Sequence, residues 1–562
     1  MKILLKNGTV INVFTGETSV EDVLIDGDRI VGVGRYKCSD ADVIEDVSGK
    51  YVCPGFIDGH IHIESTMLTP AELTKICMPH GTTSIVADPH EIANVLGTDG
   101  IKYMLEASEG LPLHTYINLP SCVPATPFDE SGATLDANTL RPLYKEDRVL
   151  GLAEMMNFPG VLAGLPDVKQ KLADALDLGR PIDGHAPMLS GKELDRYISA
   201  GIGSDHECST LDEAVEKLRK GQWIMIREGT AARNLNALLP LFDEKYSHRC
   251  ILVTDDRHPA DIARDGHIDN IIRLAASAGR SVITAIQMAT IQAAQCFGLR
   301  FVGAVAPGYR ADILVLDDLS TVDVRHVYSS GVKVVDNKKM AAFAEPKVSD
   351  ELRSAVLNSF NVKELSKQDF YIEPKGDSCR VIGIVAGELV TEELIEHIDW
   401  KTDNGVDLDR DILKLAVIER HNGTGHIGLG FVKGIGIKKG AIASSVSHDS
   451  HNLIVIGTNE ADMAVAANRI REVGGNVVVC DGTVISEMSL PIAGLMTDAS
   501  ADEIAKANEA VRASVHELGA PKSVEPFMNM AFLSLAVIPT LKMTTIGLVN
   551  VEKWKKTSLY AE

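Results

Sequence analysis

His60 and His62 stand two residues apart at the end of the apolar run Tyr51 to Glu64, YVCPGFIDGHIHIE. In a strand, residues i and i+2 project to the same face, so both imidazoles point together while Ile61 packs behind them. Two imidazoles side by side at a strand end make half of a metal site. The alternative is that one ring caps the strand and the other is a satisfied core residue. Against it stand the later apolar segments, which end on Asp88 and His90, Glu154, His185, Asp205 to Glu207, Arg227 and Glu228, and Asp255 and Asp256. From these, His60, His62, His185, His206, Glu154 and Asp255 suit a two-metal centre. Imidazole and carboxylate donors without thiolates fit Zn, Fe or Mn, and the carboxylates move the weight toward the harder ions. Such a pair would lower the pKa of a shared water and polarise an electrophile. Glu154, on a middle strand, has the reach to bridge two ions. Asp255 would bind one ion and also take the proton from that water.

Positioning these residues requires strands that share one end. From 51 to about 257, near-continuous apolar segments alternate with amphipathic stretches. The apolar segments run from YVCPGFIDGHIH through 81–90, 114–121, 149–157, 181–187, 201–207 and 223–229 to 250–257. Among the amphipathic stretches, SGKELDRYISAG and TLDEAVEKLRKG open on the N-cap residues Ser190 and Thr210 and close on glycine. Eight strand-helix units are the expectation for a (β/α)8, TIM-like barrel over residues 51–299, whose active sites gather at the carboxyl ends of the strands. Residues 1–50 and 300–345 carry short β signals and are expected to pair as one composite β-sandwich flanking the barrel. Residues 346–562 read as a C-terminal, β-rich α+β domain with one clear helix, EADMAVAANRIREVGG. Its GTGHIG (423–428) matches G-x-G-x-x-G, but the glycines that follow make a helix there unfavourable, so no phosphate cradle is expected.

With 562 residues, two to four domains are expected. The net charge of −23 argues against a nucleic-acid partner. No apolar stretch approaches the roughly 18 residues of a membrane span. The apolar N-terminal run before Lys6 is too short for a signal peptide. Nine scattered cysteines form no C-x-x-C pair and read as small buried hydrophobes. A cytoplasmic protein is the expectation.

PGFIDGHIH, the ordered His/Glu/His/His/Asp strand ends and PGYRADILVLD resemble the amidohydrolase superfamily over residues 1–345. Within it, GFIDGHIHIESTM, VADPHEIANVLG, GLAEMMNFPGV, DGHAP, GSDHE, REGTAARN and VTDDRHP look like the bacterial adenine deaminases. LAVIERHNGTGHIGLGFVKG and SSVSHDSHN extend that resemblance to the C-terminal domain. The resemblance implies hydrolytic deamination of adenine to hypoxanthine and ammonia, by a metal-held hydroxide attacking C6. It implies a binuclear centre of Mn or Fe, with zinc left open. His60, His62 and Asp255 would hold one ion, His185 and His206 the other, with Glu154 bridging. Glu154, Asp255 and His90 are the candidate acids for N1 and the departing amine. A homo-oligomer, dimer or larger, is expected.

Other readings bear on these residues. Many binuclear amidohydrolases bridge their metals with a carboxylated lysine; Leu152-Ala153-Glu154-Met155 has none, which weakens a dihydroorotase- or hydantoinase-like cyclic-amide hydrolase. A non-catalytic scaffold of this fold would be expected to lack ligands, and none is missing. His90 either serves the chemistry or caps the following helix. Glu207 either reads the adenine edge or pairs with a neighbouring group. Arg227 and Glu228 either contact substrate or form a salt bridge at the rim. Either Asp255 or Asp256 would ligate, since adjacent strand residues face opposite ways. His448 and His451, with no third ligand nearby in sequence, read as structural.

Overall fold

The computed structural model describes residues 1–230, 232–385, 388–401 and 403–561. Ala231, inside REGTAARN, and Ala386 and Gly387, at the end of the expected strand CRVIGIVAG, lie outside the described residues. The chain forms two compact units. One comprises Met1–Pro89, Met104–Ser121 and Asp136–Lys347; the other comprises His90–Tyr103, Cys122–Leu135 and the chain from Val348 onward.

In the first unit each of the eight apolar segments contains a strand. These are β1 (Phe56–Ile61), β2 (Thr82–Ala87), β3 (His114–Leu119), β4 (Val149–Met155), β5 (Ile182–Gly184), β6 (Ser204–Asp205), β7 (Trp223–Arg227) and β8 (Cys250–Val253). β1 to β5 form one curled parallel sheet in chain order, and β6 to β8 a second. The Gly203 N–H donates to the Ile182 carbonyl at 2.9 Å just before β6. Beyond β8, the Asp255 N–H donates to the His60 carbonyl at 2.9 Å and Asp255 bridges Ile61 in parallel.

Burial on both faces explains why these strands read as apolar runs rather than alternating ones. Ile57, Val86, Met225, Ile251 and Val253 pack with Ala293, Ala294 and Phe297 from the helix Ile291–Cys296 and its end. Gly59 lies where a Cβ would sit 2.6 Å from the Ile251 Cδ1, so glycine is what lets β1 approach β8 between the Asp58 and His60 side chains.

The amphipathic stretches are helices at Pro166–Asp177, Gly191–Ser199 and Leu211–Arg219. Thr210 caps as expected, accepting from the Glu213 N–H, whereas the Ser190 side chain makes no cap bond. The two flanks of the parallel strands do join: Tyr51–Pro54 pairs antiparallel with Ile313–Leu316. They do so in one continuous nine-stranded sheet rather than two, and its edge strand Arg29–Gly34 returns to residue 309 through the Ile30 N–H and Tyr309 carbonyl.

The second unit has an eight-stranded mixed sheet and a three-stranded one. The helix Glu460–Val473 packs its buried Met463, Ala466, Ala467 and Ile470 on that sheet. A second long helix, Ala501–Glu517, was absent from the sequence reading, although Ser500 and Glu503 form a capping box that marks its start. GTGHIG is a turn leading into the strand Ile427–Lys433. Its backbone N–H groups are already used: those of His421, Asn422 and Thr424 donate to the Glu419 carboxylate at 2.6, 2.6 and 2.9 Å. Gly428 is required because a Cβ there would lie 1.9 Å from the Thr544 carbonyl oxygen. No helix among the described residues is long and apolar enough to cross a membrane.

In the first unit, fully buried His267 shares a hydrogen bond with the Thr82 hydroxyl at 2.8 Å. Burial, helped by the Arg257 charge, pulls its pKa down to about 3 from an ordinary 6.5. The folded chain therefore refuses a proton that the unfolded chain accepts. This stability is complete above the unfolded value and is lost as the pH falls toward 3. Between pH 6 and 4, urea unfolding of the wild type should lose about 1 kcal/mol per pH unit more than that of His267→Asn. Equal slopes would show that His267 is protonated in the fold.

Candidate metal centre

The six residues singled out as ligands come together at the carboxyl ends of the eight strands. His60 belongs to β1, Glu154 to β4, and His62, His185, His206 and Asp255 follow the ends of β1, β5, β6 and β8. All but His185 are buried. The His62 Nε2 lies 3.2 Å from Asp255 Oδ1 and 3.4 Å from Glu154 Oε1. His60 Nε2 lies 3.8 Å from Asp255 Oδ1 and has no hydrogen-bond partner. On the other side of Glu154, its Oε2 faces His206 Nε2 at 3.2 Å and His185 Nδ1 at 2.7 Å. Glu154 thus lies between two pairs of imidazoles.

These spacings fit metal ions. Ligand bonds of about 2.1 Å leave neighbouring donors about 3.0–3.4 Å apart in octahedral or tetrahedral geometry. Most of the separations above fall close to that range, and a buried His60 nitrogen without a partner is what a ligand atom looks like before its ion is counted. The nitrogen and oxygen donor set suits Mn, Fe or Zn.

Asp255 resolves the choice between the two adjacent aspartates. Its φ of 57° puts it in the left-handed region, which aspartate tolerates better than most residues. It turns its carboxylate to the histidines, while the Asp256 carboxylate accepts from the Ser65 hydroxyl at 2.5 Å. Arg227 and Glu207 meet each other: Arg227 Nη1 donates to Glu207 Oε1 and to Asp255 Oδ2, both at 2.5 Å. Glu207 Oε1 also lies 3.3 Å from His206 Nε2. Glu228 turns away from this group toward Arg233, with 3.7 Å between Oε1 and Nε, and burial raises its pKa. Burial works to raise the Glu154 and Asp255 carboxyls too. The His185 and His206 rings overcome it for Glu154 and the Arg227 guanidinium overcomes it for Asp255, so both lie well below the ordinary range.

Beneath the centre lies polar structure that the sequence reading missed. The buried Asp205 carboxylate accepts from the Ala186 N–H at 2.9 Å and the Glu207 N–H at 2.8 Å, fixing the turns that carry His185 and His206. Fully buried Lys217 compensates it at 3.2 Å. Asp58 accepts from the Thr254 N–H at 3.1 Å and holds β1 to the end of β8. Asp183 accepts from His60 Nδ1 at 2.9 Å. The repeated Asp-Gly-His of residues 58–60 and 183–185 was the available signal for two of these.

In the second unit, His90 opens the helix His90–Leu96, with its Nε2 3.5 Å from Glu91 Oε1. Glu91 also answers the question of a third partner for His448 and His451. It bonds His448 Nδ1 at 2.6 Å through Oε1 and His451 Nε2 through Oε2. The Ser447 N–H donates to His451 Nδ1, so Nε2 carries that ring's proton. Contact at hydrogen-bond distance and this tautomer make the group a hydrogen-bonded triad rather than a cation site. Its members lie 357 residues apart in the chain, beyond any local pattern.

Comparison with known proteins follows the same division. The Amidohydrolase family model matches residues 51–344, and that of the Adenine deaminase C-terminal domain matches residues 388–555. The chain is 47% identical over 555 residues to "Adenine deaminase 2" of Carboxydothermus hydrogenoformans, covering 98% of this chain and 95% of that protein. It is 43% identical to "Adenine deaminase" of Desulfatibacillum aliphaticivorans, covering 99% and 97%. It is 44% identical to "Adenine deaminase" of Clostridium acetobutylicum, covering 98% and 96%.

Removing Lys217 would leave Asp205 buried and unpaired. Lys217→Met should therefore destabilise the chain by about 3–5 kcal/mol in denaturant unfolding. A change below about 1 kcal/mol would mean that the turns carrying His185 and His206 do not depend on the pair.

Proposed function

This chain belongs to the adenine deaminase family of amidohydrolases, and from that premise we infer that it hydrolyses adenine to hypoxanthine and ammonia. The observation that carries the reading is Glu154, a carboxylate held between two pairs of imidazoles where cyclic-amide hydrolases would carry lysine. His60, His62 and Asp255 would hold one divalent ion, Mn or Fe with zinc as the alternative, and His185 and His206 the other, with Glu154 shared. When bound, the ions supply Lewis acidity and lower the pKa of water at the centre. The scaffold proposed for them is the (β/α)8 barrel of residues 51–299, flanked by the composite β domain and followed by the C-terminal domain.

The protein's own groups then handle the protons. Asp255 has one oxygen on the histidine side and the other on Arg227. It takes a proton from the attacking water and returns it to the nitrogen leaving C6. Arg227 keeps Asp255 ionised until that transfer and anchors Glu207, whose remaining acceptor capacity faces the purine N–H edge. His90 remains the candidate for a second proton near N1. Glu228 is assigned to the rim, with Arg233.

The test is ammonia release by the Mn-loaded protein from adenine, adenosine and dihydroorotate in parallel. Turnover of adenine alone is expected. Turnover of dihydroorotate without adenine would keep the metal centre and discard the substrate. Glu154→Gln should lower adenine turnover by about 10²-fold or more and reduce bound metal per chain. Full metal content and full turnover in that variant would remove Glu154 from the centre.

A further inference from the structure

The outward nitrogens of the ligand histidines are not treated alike. His62 Nδ1 faces a neutral acceptor, the Asp88 carbonyl, at 3.0 Å. His60 Nδ1 faces the Asp183 carboxylate at 2.9 Å, with both side chains 2% exposed or less. Asp183 is itself fixed: its Oδ1 accepts from the Ser204 hydroxyl at 2.6 Å and the Gly184 N–H at 2.8 Å. An anion on Nδ1–H fixes the tautomer that leaves the Nε2 lone pair for a metal, and makes that nitrogen a stronger donor.

On the other side of Glu154 the support is weaker. His206 Nδ1 is buried without a hydrogen-bond partner. The His185 nitrogen nearest the centre is Nδ1, and the carboxylates that it faces are Glu154 and Glu207, both on the metal side. His60 and His206 stack at 4.2 Å between ring centroids, so the two differently supported rings are neighbours. The His60 side also has Asp255 as a carboxylate of its own.

We propose that Asp183 is a positioning residue that makes the two metal positions unequal. Acting through His60, it gives the His60/His62/Asp255 position the tighter hold. Ions load there first, and the His185/His206 position empties first. The proposal rests on the two-metal reading above and adds an order to it.

The experiment is a titration of the chelator-stripped full chain with Mn(II), reading unbound ion from its electron paramagnetic resonance signal rather than from activity. The wild type should bind two equivalents, the first at least about tenfold tighter than the second. Asp183→Asn should weaken the first equivalent by about 10–100-fold and leave the second within about threefold. Ser204→Ala removes a support of Asp183 but keeps its charge on His60, and should stay within about threefold at both positions. Two wild-type equivalents of equal affinity would overturn the proposal without any variant having to fold. An unchanged first equivalent in a folded Asp183→Asn would overturn it as well. A single equivalent in total would overturn the two-metal reading itself.

Discussion

Everything at the centre depends on keeping the Glu154 carboxylate ionised out of water. Burial alone would neutralise it; the imidazoles on either side of it prevent that. They do so only while their own positions are held, and the surrounding structure is arranged to hold them. Asp205 and Lys217 fix the turns of His185 and His206, Asp183 fixes the His60 ring, and Asp58 fastens β1 to the residue before Asp255. Each of these is a buried polar group whose partners are satisfied, and that is the condition under which such groups stiffen a site rather than weaken the fold.

Distance separates two clusters that look alike in composition. Both the centre around Glu154 and the triad around Glu91 combine imidazoles with a carboxylate. Around Glu154 most nitrogens stand off at 3.2–3.4 Å, which leaves room for ions. Around Glu91 a nitrogen sits at 2.6 Å, which leaves room only for a proton. The triad ties the start of the helix His90–Leu96 into its own unit, so a segment that follows β2 in sequence is packed with residues near 450. The same discipline disposes of GTGHIG: its N–H groups are spent on Glu419 and cannot also cradle a phosphate.

Much of this was legible in the chain. Near-continuous apolar runs specify strands buried on both faces, and the period of two in His60-Ile61-His62 specifies that both rings face one way. Those local rules located the eight strands, the six ligand candidates and the capped helix after Thr210. The helix Ala501–Glu517 was equally legible through its capping box and was passed over. Tertiary structure alone decided the rest, because it concerns groups that approach through space. It chose Asp255 over Asp256 through a left-handed backbone that no strand pattern implies. It joined Arg227 to Glu207 and Asp255, turned Glu228 to Arg233, and brought Glu91 to His448 and His451 across the chain. Residue type and spacing announce which atoms can bind a metal or a proton; only the separation between those atoms, set by packing, says which of the two they hold.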